Sequence, residues 1–343
     1  MLVPFPYLAF AASIISSNSL ANALSPSNIS PDLPVASLLS EANAHLAKGE
    51  TSNAITYYDV AISRDPKNYL TLFKRGATYL SLGRTTQALS DFDAVLEIKN
   101  DFEGALVQRA KIMSSFGDWE KARKNYQAAG HAGNDLAEME EAERAAKVAA
   151  DAEKKKDYEG CISYAGAAIM IANRNLALRQ LRARCRFERG EMQEGISDLA
   201  HALHIQPGLT NPHLQISSVQ FFSVADTERG MAQIRKCLIS DPDSKSCKKL
   251  HRTEKQIDKA LKKVQKLLEK RSYSTAAKQI VGSGEETGLM QDIKEEFKEL
   301  HDSGVLPAKA KNELYTQVVE MACEAHSEVG CPEFDDRRVL TVP

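Results

Sequence analysis

The sequence is poor in residues that interrupt regular structure. It has 18 glycines and 12 prolines in 343 residues, too few for a linker-rich or disordered chain. It has no basic excess: 44 Lys and Arg stand against 46 Asp and Glu, a formal net charge of −2. Phosphate backbones are held by an excess of cations, so nucleic acid is not expected as a partner. None of the six cysteines forms a C-x-x-C, which removes the usual zinc and dithiol motifs. His201 and His204 share a helix face at i, i+3, but no carboxylate or cysteine is placed to complete a metal site. The nucleophile-elbow, P-loop and dinucleotide motifs are all missing, so neither an enzyme nor a cofactor is expected. Beyond the N-terminus no apolar run approaches the ~20 residues that span a bilayer, so no integral membrane span is expected in the mature chain.

The exception is the N-terminus. Residues 2–15 (LVPFPYLAFAASII) are almost wholly apolar and are followed by Ala21-Asn22-Ala23. An apolar stretch ending in A-x-A reads as a secretory signal, here residues 1–23. Residues 24–34 hold Pro26, Pro31 and Pro34 and read as a flexible lead-in. They also contain a glycosylation sequon, Asn28-Ile29-Ser30.

The rest of the chain is periodic. Gly49, Gly83 and Gly117 fall 34 residues apart, and so do Ala54, Ala88 and Ala122, and Tyr58, Phe92 and Tyr126. Three independent columns at one spacing mark a stacked repeat. Each column has a physical reason. The small residues let paired helices approach, the glycine turns the chain between them, and the aromatic fills the space against the next pair. The pattern resembles the tetratricopeptide repeat (TPR). That resemblance implies an all-α superhelical solenoid of antiparallel helix pairs, with about seven to eight repeats. The period continues through Cys161, Gly195 and Gly230. An eighth first helix is expected over about 308–329, with no pattern for its partner in 331–343. Two charged stretches, Asp135–Lys156, rich in Ala, Glu and Lys, and the lysine-rich Lys245–Lys270, read as helices. The second shows an apolar series (Leu250, Ile257, Leu261, Val264, Leu267, Leu268) with Glu254, Asp258 and Glu269 interleaved, so it reads as a solvated face over a buried stripe.

TPR arrays bind on the face lined by the first helix of each pair. In the first three repeats those positions carry Leu39, Asn43, Leu46, Leu70, Phe73, Ala77, Leu80 and Val107. A clamp for acidic chaperone tails needs Lys, Arg and Asn here. Asn43 fits, but Leu39 stands where a lysine is expected. The strip is apolar instead, and suits an extended or unfolded hydrophobic segment.

A signal-like leader ahead of an apolar-faced TPR array resembles the endoplasmic-reticulum-lumenal TPR and J-domain co-chaperones of the DnaJ subfamily C member three type. The resemblance is carried best by ANAHLAKGETSNAITYYDVAISRDPKNYLTLFKRGATYLSLGRTTQALSDFDAVLEIK and covers about Leu38 to Val329. It implies a client-binding subdomain at 35–136, a linker helix and repeats four to six at 137–244, and a long helix with repeat seven and half of eight at 245–330. An irregular tail follows at 331–343. It implies misfolded or unfolded polypeptides as clients, lumenal Hsp70 as a partner, residence in the reticulum lumen (or secretion), and a role in the unfolded protein response. Stimulation of Hsp70 needs a His-Pro-Asp loop; this sequence has none, so that activity is not expected of it. A scaffold joining folded partners is the alternative. The family carries a disulfide near Cys237 and Cys247, which flank the Pro242 turn, and that pair is expected here. Cys161 and Cys185 sit at small-residue helix positions and read as buried thiols. The pairing of Cys323 and Cys331 stays open.

Overall fold

The computed structural model describes residues 24–130, 133–283 and 286–327. The signal-like segment, Cys331 and the 331–343 tail lie outside the described residues. Two compact units divide the chain: the first runs to Arg109 and includes Ala128–Gly130, and the second comprises the rest.

The first unit contains α1 (Val35–Ala47), α2 (Thr51–Arg64), α3 (Tyr69–Ser81), α4 (Thr85–Ile98) and the start of α5 (Glu103–Phe116). The turns inside its pairs are made by Gly49 and Gly83, with φ of 76° and 71°, a region where a Cβ is strained. Asn68 caps α3 by accepting from the Thr71 amide at 3.2 Å. Gly76 answers to packing: a Cβ there would stand 2.8 Å from the Phe92 ring, so only glycine lets α3 and α4 close on that buried aromatic.

Residues 24–34 are tied down, which replaces the flexible lead-in expected from their prolines. A 3-10 turn at Pro26–Asn28 leaves Asn28 exposed and sends Ile29 into a cluster with Leu38 and Ala61. The Thr56 hydroxyl donates to the Leu24 carbonyl at 3.3 Å. Arg64 donates to the carbonyls of Ser30 and Leu33. Ile29 and Leu33 supply apolar surface that α2 covers, a gain that outweighs the turn-forming bias of the prolines.

The second unit continues α5 and adds α6 (Trp119–Ala128), α7 (Asn134–Lys154), α8 (Tyr158–Ile171), α9 (Leu176–Arg189) and α10 (Met192–Ile205). There follow α11 (Thr210–Ser218), α12 (Thr227–Ser240), α13 (Lys245–Glu269), α14 (Tyr273–Val281), α15 (Leu289–Asp302) and α16 (Glu313–Ser327). From α7 to α15 each helix packs on the next, and α7 with α9 and α11 with α13 also touch across the intervening helix. A two-stranded ribbon, β1 (Gly282–Ser283) and β2 (Glu286–Thr287), links α14 to α15 with Gly282 opposite Thr287. Where the turn glycine is missing, Lys156 and Arg271 take φ of 60° and 56° themselves. Within the stretch expected to form an eighth first helix, about 308–329, the structure has α16, which packs on both α14 and α15; α15 itself is not expected from the repeat period. The run Leu289, Ile293, Glu296, Leu300 buries one side of α15 and lay unrecognised because it starts after the ribbon, outside the 34-residue register.

The α11 helix continues into a π segment, Val219–Ser223. There Phe221 and Phe222 are fully buried. A Cβ on Gly230 would lie 2.8 Å from Phe221 Cβ and 3.1 Å from the Ser217 carbonyl, so the wider turn and the glycine fit one another.

Candidate functional site

The two exposed sides of α1 and α3 carry the predicted strip. In α1, Leu38 and Ala42 are buried. That leaves Leu39 and Leu46 half-buried and Asn43 exposed on the adjoining side. In α3, Thr71, Leu72 and Gly76 are buried. Phe73 and Leu80 are half-buried, Ala77 is exposed, and Leu70 is 48% exposed. Val107 on α5 is half-buried. On a 3.6-residue helix Leu39, Asn43 and Leu46 share one face, and Leu70, Phe73, Ala77 and Leu80 share another.

Phe73 is fixed by neighbours. Its ring meets Phe92 at 5.7 Å and Phe102 edge-on at 5.1 Å. Phe102 in turn meets Tyr69 edge-on at 5.2 Å, and Lys99 lies 5.3 Å over the Tyr69 ring. Tyr69 and Phe102 were not read from the sequence as part of this face. The signal existed, since Tyr69 precedes Phe73 by one helical turn, but Phe102 precedes its helix and carries no periodic mark. Gly104 allows the contact, because a Cβ there would stand 3.1 Å from both Phe73 and Phe102. Aromatic pairs at such distances contribute roughly 0.5–1.5 kcal/mol beyond burial, so Phe73 is half anchor and half surface.

Asn43 has a structural task as well. Its side-chain oxygen accepts from the buried Tyr58 hydroxyl at 3.2 Å, and burial raises the Tyr58 pKa. Among the described residues the amide nitrogen of Asn43 has no hydrogen-bond partner, and the residue is exposed. Behind the face, Arg75 joins three helices. It donates to Asp59 at 2.7 Å and to both Asp91 oxygens at 2.6 and 2.9 Å. Those carboxylates raise the Arg75 pKa, with the Asp91 hydrogen bonds the largest cause. The same device recurs in the second unit, where Arg182 and Arg186 converge on the buried Asp198. The separation of 16 residues in both Arg75/Asp91 and Arg182/Asp198 marks it as a repeat-locking pair.

Cys237 and Cys247 are bonded, with Cα atoms 6.3 Å apart. Cys161 and Cys185 are bonded too, again with Cα atoms 6.3 Å apart. This corrects their reading as buried thiols. Small-residue positions on α8 and α9 face each other across a repeat joint, so the closeness that favours Ala or Gly also suits a sulfur bridge. Cys323 is exposed on α16. His201 and His204 are exposed on α10, and among the described residues no cluster of three His, Cys, Asp or Glu is placed to hold a metal. No helix among those residues is long and apolar enough to cross a membrane. The long helix also departs from expectation: Glu254, read as part of a solvated face, is fully buried.

Comparison with known proteins agrees with this architecture. Residues 57–90 match the tetratricopeptide repeat family. The chain is 47% identical over 310 residues to the tetratricopeptide repeat and J domain-containing co-chaperone DNJ1 of Fusarium oxysporum, covering 90% of this chain and 60% of that protein. It is 34% identical to the Cryptococcus neoformans protein of the same name, over 74% of this chain and 49% of that one. Against the human DnaJ homolog subfamily C member 3 the identity is 26%, over 67% of this chain and 48% of that protein. A solved structure, the P58(IPK) TPR domain, superposes with a TM-score of 0.68 at 24% identity, covering 89% of this chain and 80% of that one. The fold class is therefore an all-α TPR array. Over the part it shares with them, the chain is similar to TPR and J-domain co-chaperones of the DnaJ family. It spans 60% of the length of the Fusarium relative and about half that of the others.

Proposed function

We propose that this chain binds unfolded or misfolded polypeptides through the apolar face of α1, α3 and the start of α5, in the lumen of the endoplasmic reticulum. It acts there as a non-enzymatic co-chaperone in support of Hsp70-assisted folding and the unfolded protein response. The carrying observation is that Leu39, Leu46, Leu70, Phe73 and Leu80 stay at least partly open to solvent on the first-helix sides of two neighbouring repeats. Exposed apolar side chains grouped on one face are costly in water unless a ligand covers them. An unfolded segment offers apolar side chains for that face and backbone groups for the Asn43 amide. The signal-like leader and two disulfides at repeat joints fit an oxidising lumen. The names of the relatives favour a chaperone-linked role.

Leu70→Glu with Leu80→Glu places two charges on the face without touching the aromatic cluster around Phe73. The double variant is expected to keep its helical circular dichroism and to bind reduced, carboxymethylated protein at least about tenfold more weakly, roughly 1.4 kcal/mol. Unchanged binding would reject the face. Residence is checked separately, by protease protection in microsomes and by sequencing for a start at Leu24.

A further inference from the structure

The solvent side of α13 is a line of positive charge. Lys or Arg occupies positions 245, 248, 252, 255, 259, 263, 266 and 270, one in each turn, within an arc of roughly 80° at 100° per residue. The buried stripe of Leu250, Glu254, Ile257, Leu261 and Val264 lies on the opposite side. Residues 245–271 hold eleven of the chain's 44 Lys and Arg but only three of its 46 Asp and Glu. That segment is formally +8 and the remainder of the chain is −10.

The fold compensates little of this charge. Glu254 is buried, and Asp258 is taken by Lys262 at 2.8 Å. Lys249, beside the line, pairs with Glu299 of α15. Lys263 donates to the Gln279 amide at 2.8 Å, and Lys248 reaches Asp243 only at 3.5 Å. Arg252, Lys255, Lys259, Lys266 and Lys270 have no ion-pair partner among the described residues, and Arg235 of α12 adds to the same field beside His251. Like charges three and four apart on a helix repel. A near-neutral chain that gathers them into one line carries that cost along about 37 Å of helix.

We propose that the outer face of α13 is a docking surface for an acidic polypeptide segment, one that presents a carboxylate at about each helical turn. Two features favour carboxylates over phosphates. Nine of the eleven cations are lysine, a hydrated point charge, whereas planar arginine is the residue suited to bidentate phosphate contacts. The helix also contains no Phe, Tyr or Trp to stack on bases or to anchor in a lipid interface. The surface lies in the second unit and owes nothing to the apolar face of the first.

The test uses the full chain and a fluorescein-labelled decaglutamate peptide, read by anisotropy. Binding is expected, and it weakens steeply between about 50 and about 200 mM salt as counterions screen the contacts. Lys255→Glu/Lys259→Glu/Lys266→Glu alters only exposed side chains and is expected to weaken binding by at least about tenfold at an unchanged melting temperature. Leu70→Glu/Leu80→Glu is expected to leave it unchanged. Equal binding by wild type and the triple variant overturns the proposal. So does tighter binding of phosphatidylserine vesicles or a DNA duplex than of the peptide.

Discussion

The Ser217 hydroxyl lies 2.8 Å from the Gly230 carbonyl and 2.8 and 3.0 Å from the two Glu254 carboxyl oxygens. It has one proton, and a carbonyl can only accept. Both contacts are satisfied when Ser217 donates to Gly230 and a protonated Glu254 donates to Ser217. Burial pushes the Glu254 pKa up to about 8, opposed by the Ser217 hydrogen bond and helped by the charge of Glu296. Glu296 on α15 is itself raised, first by burial. The folded pKa thus exceeds the unfolded one, so between about 4.5 and 8 the unfolded chain binds fewer protons and stability falls as pH rises, by about 1.4 kcal/mol per unit. Glu254→Gln keeps a donor and removes the titration. In urea unfolding it is expected to gain about 2–3 kcal/mol more over wild type at pH 7.5 than at pH 5.5; an equal difference at both pH values would show that Glu254 does not titrate. The residue was legible in principle, because 250, 254, 257, 261 and 264 follow the buried spacing. A glutamate in that series reads as a water-side residue by its chemistry and as a buried one by its position. For Cys161 and Cys185 helix position alone does not separate a thiol from a bridge.

At the scale of elements, spacing served best where the repeat is strict. The helices α1 to α6 carry the 34-residue columns, and there the turns at Gly49, Gly83 and Gly117 lie where the pattern put them. It failed where an element leaves the register: at α15, at the packed 24–34 segment, and at the π segment that seats Phe221 against Gly230. Those features depend on contacts between distant residues, which no local period records. Both disulfides also belong to this scale, since each joins the second helix of one repeat to the first helix of the next: α8 to α9 and α12 to α13. They close loops of 24 and 10 residues. By chain entropy the longer one stabilises by about 3.5 kcal/mol and the shorter by about 2.7. Replacing Cys161 and Cys185 together by Ala is therefore expected to cost about 3 kcal/mol in guanidinium unfolding. A loss below about 0.5 kcal/mol would mean that α8 and α9 hold equally well unbridged.

Over the whole molecule, composition misleads and distribution informs. A net charge of −2 reads as electrostatic neutrality, yet α13 gathers a strong positive line and the rest of the chain is acidic. An average apolar content likewise conceals a division between side chains buried at repeat joints and those left open on α1 and α3. Neither division shows in a total; both follow from which side of a helix each residue occupies. The bridges at the repeat joints have a mechanical consequence. Drawn out by force from its ends, an array without cross-links unravels to its full contour. Here 24 residues at one joint and 10 at the other are short-circuited by sulfur. Roughly 120 Å of length, at about 3.6 Å per residue, stays in reserve until a reductant cuts the bonds, so the extensibility of the chain is set by the redox state of its surroundings.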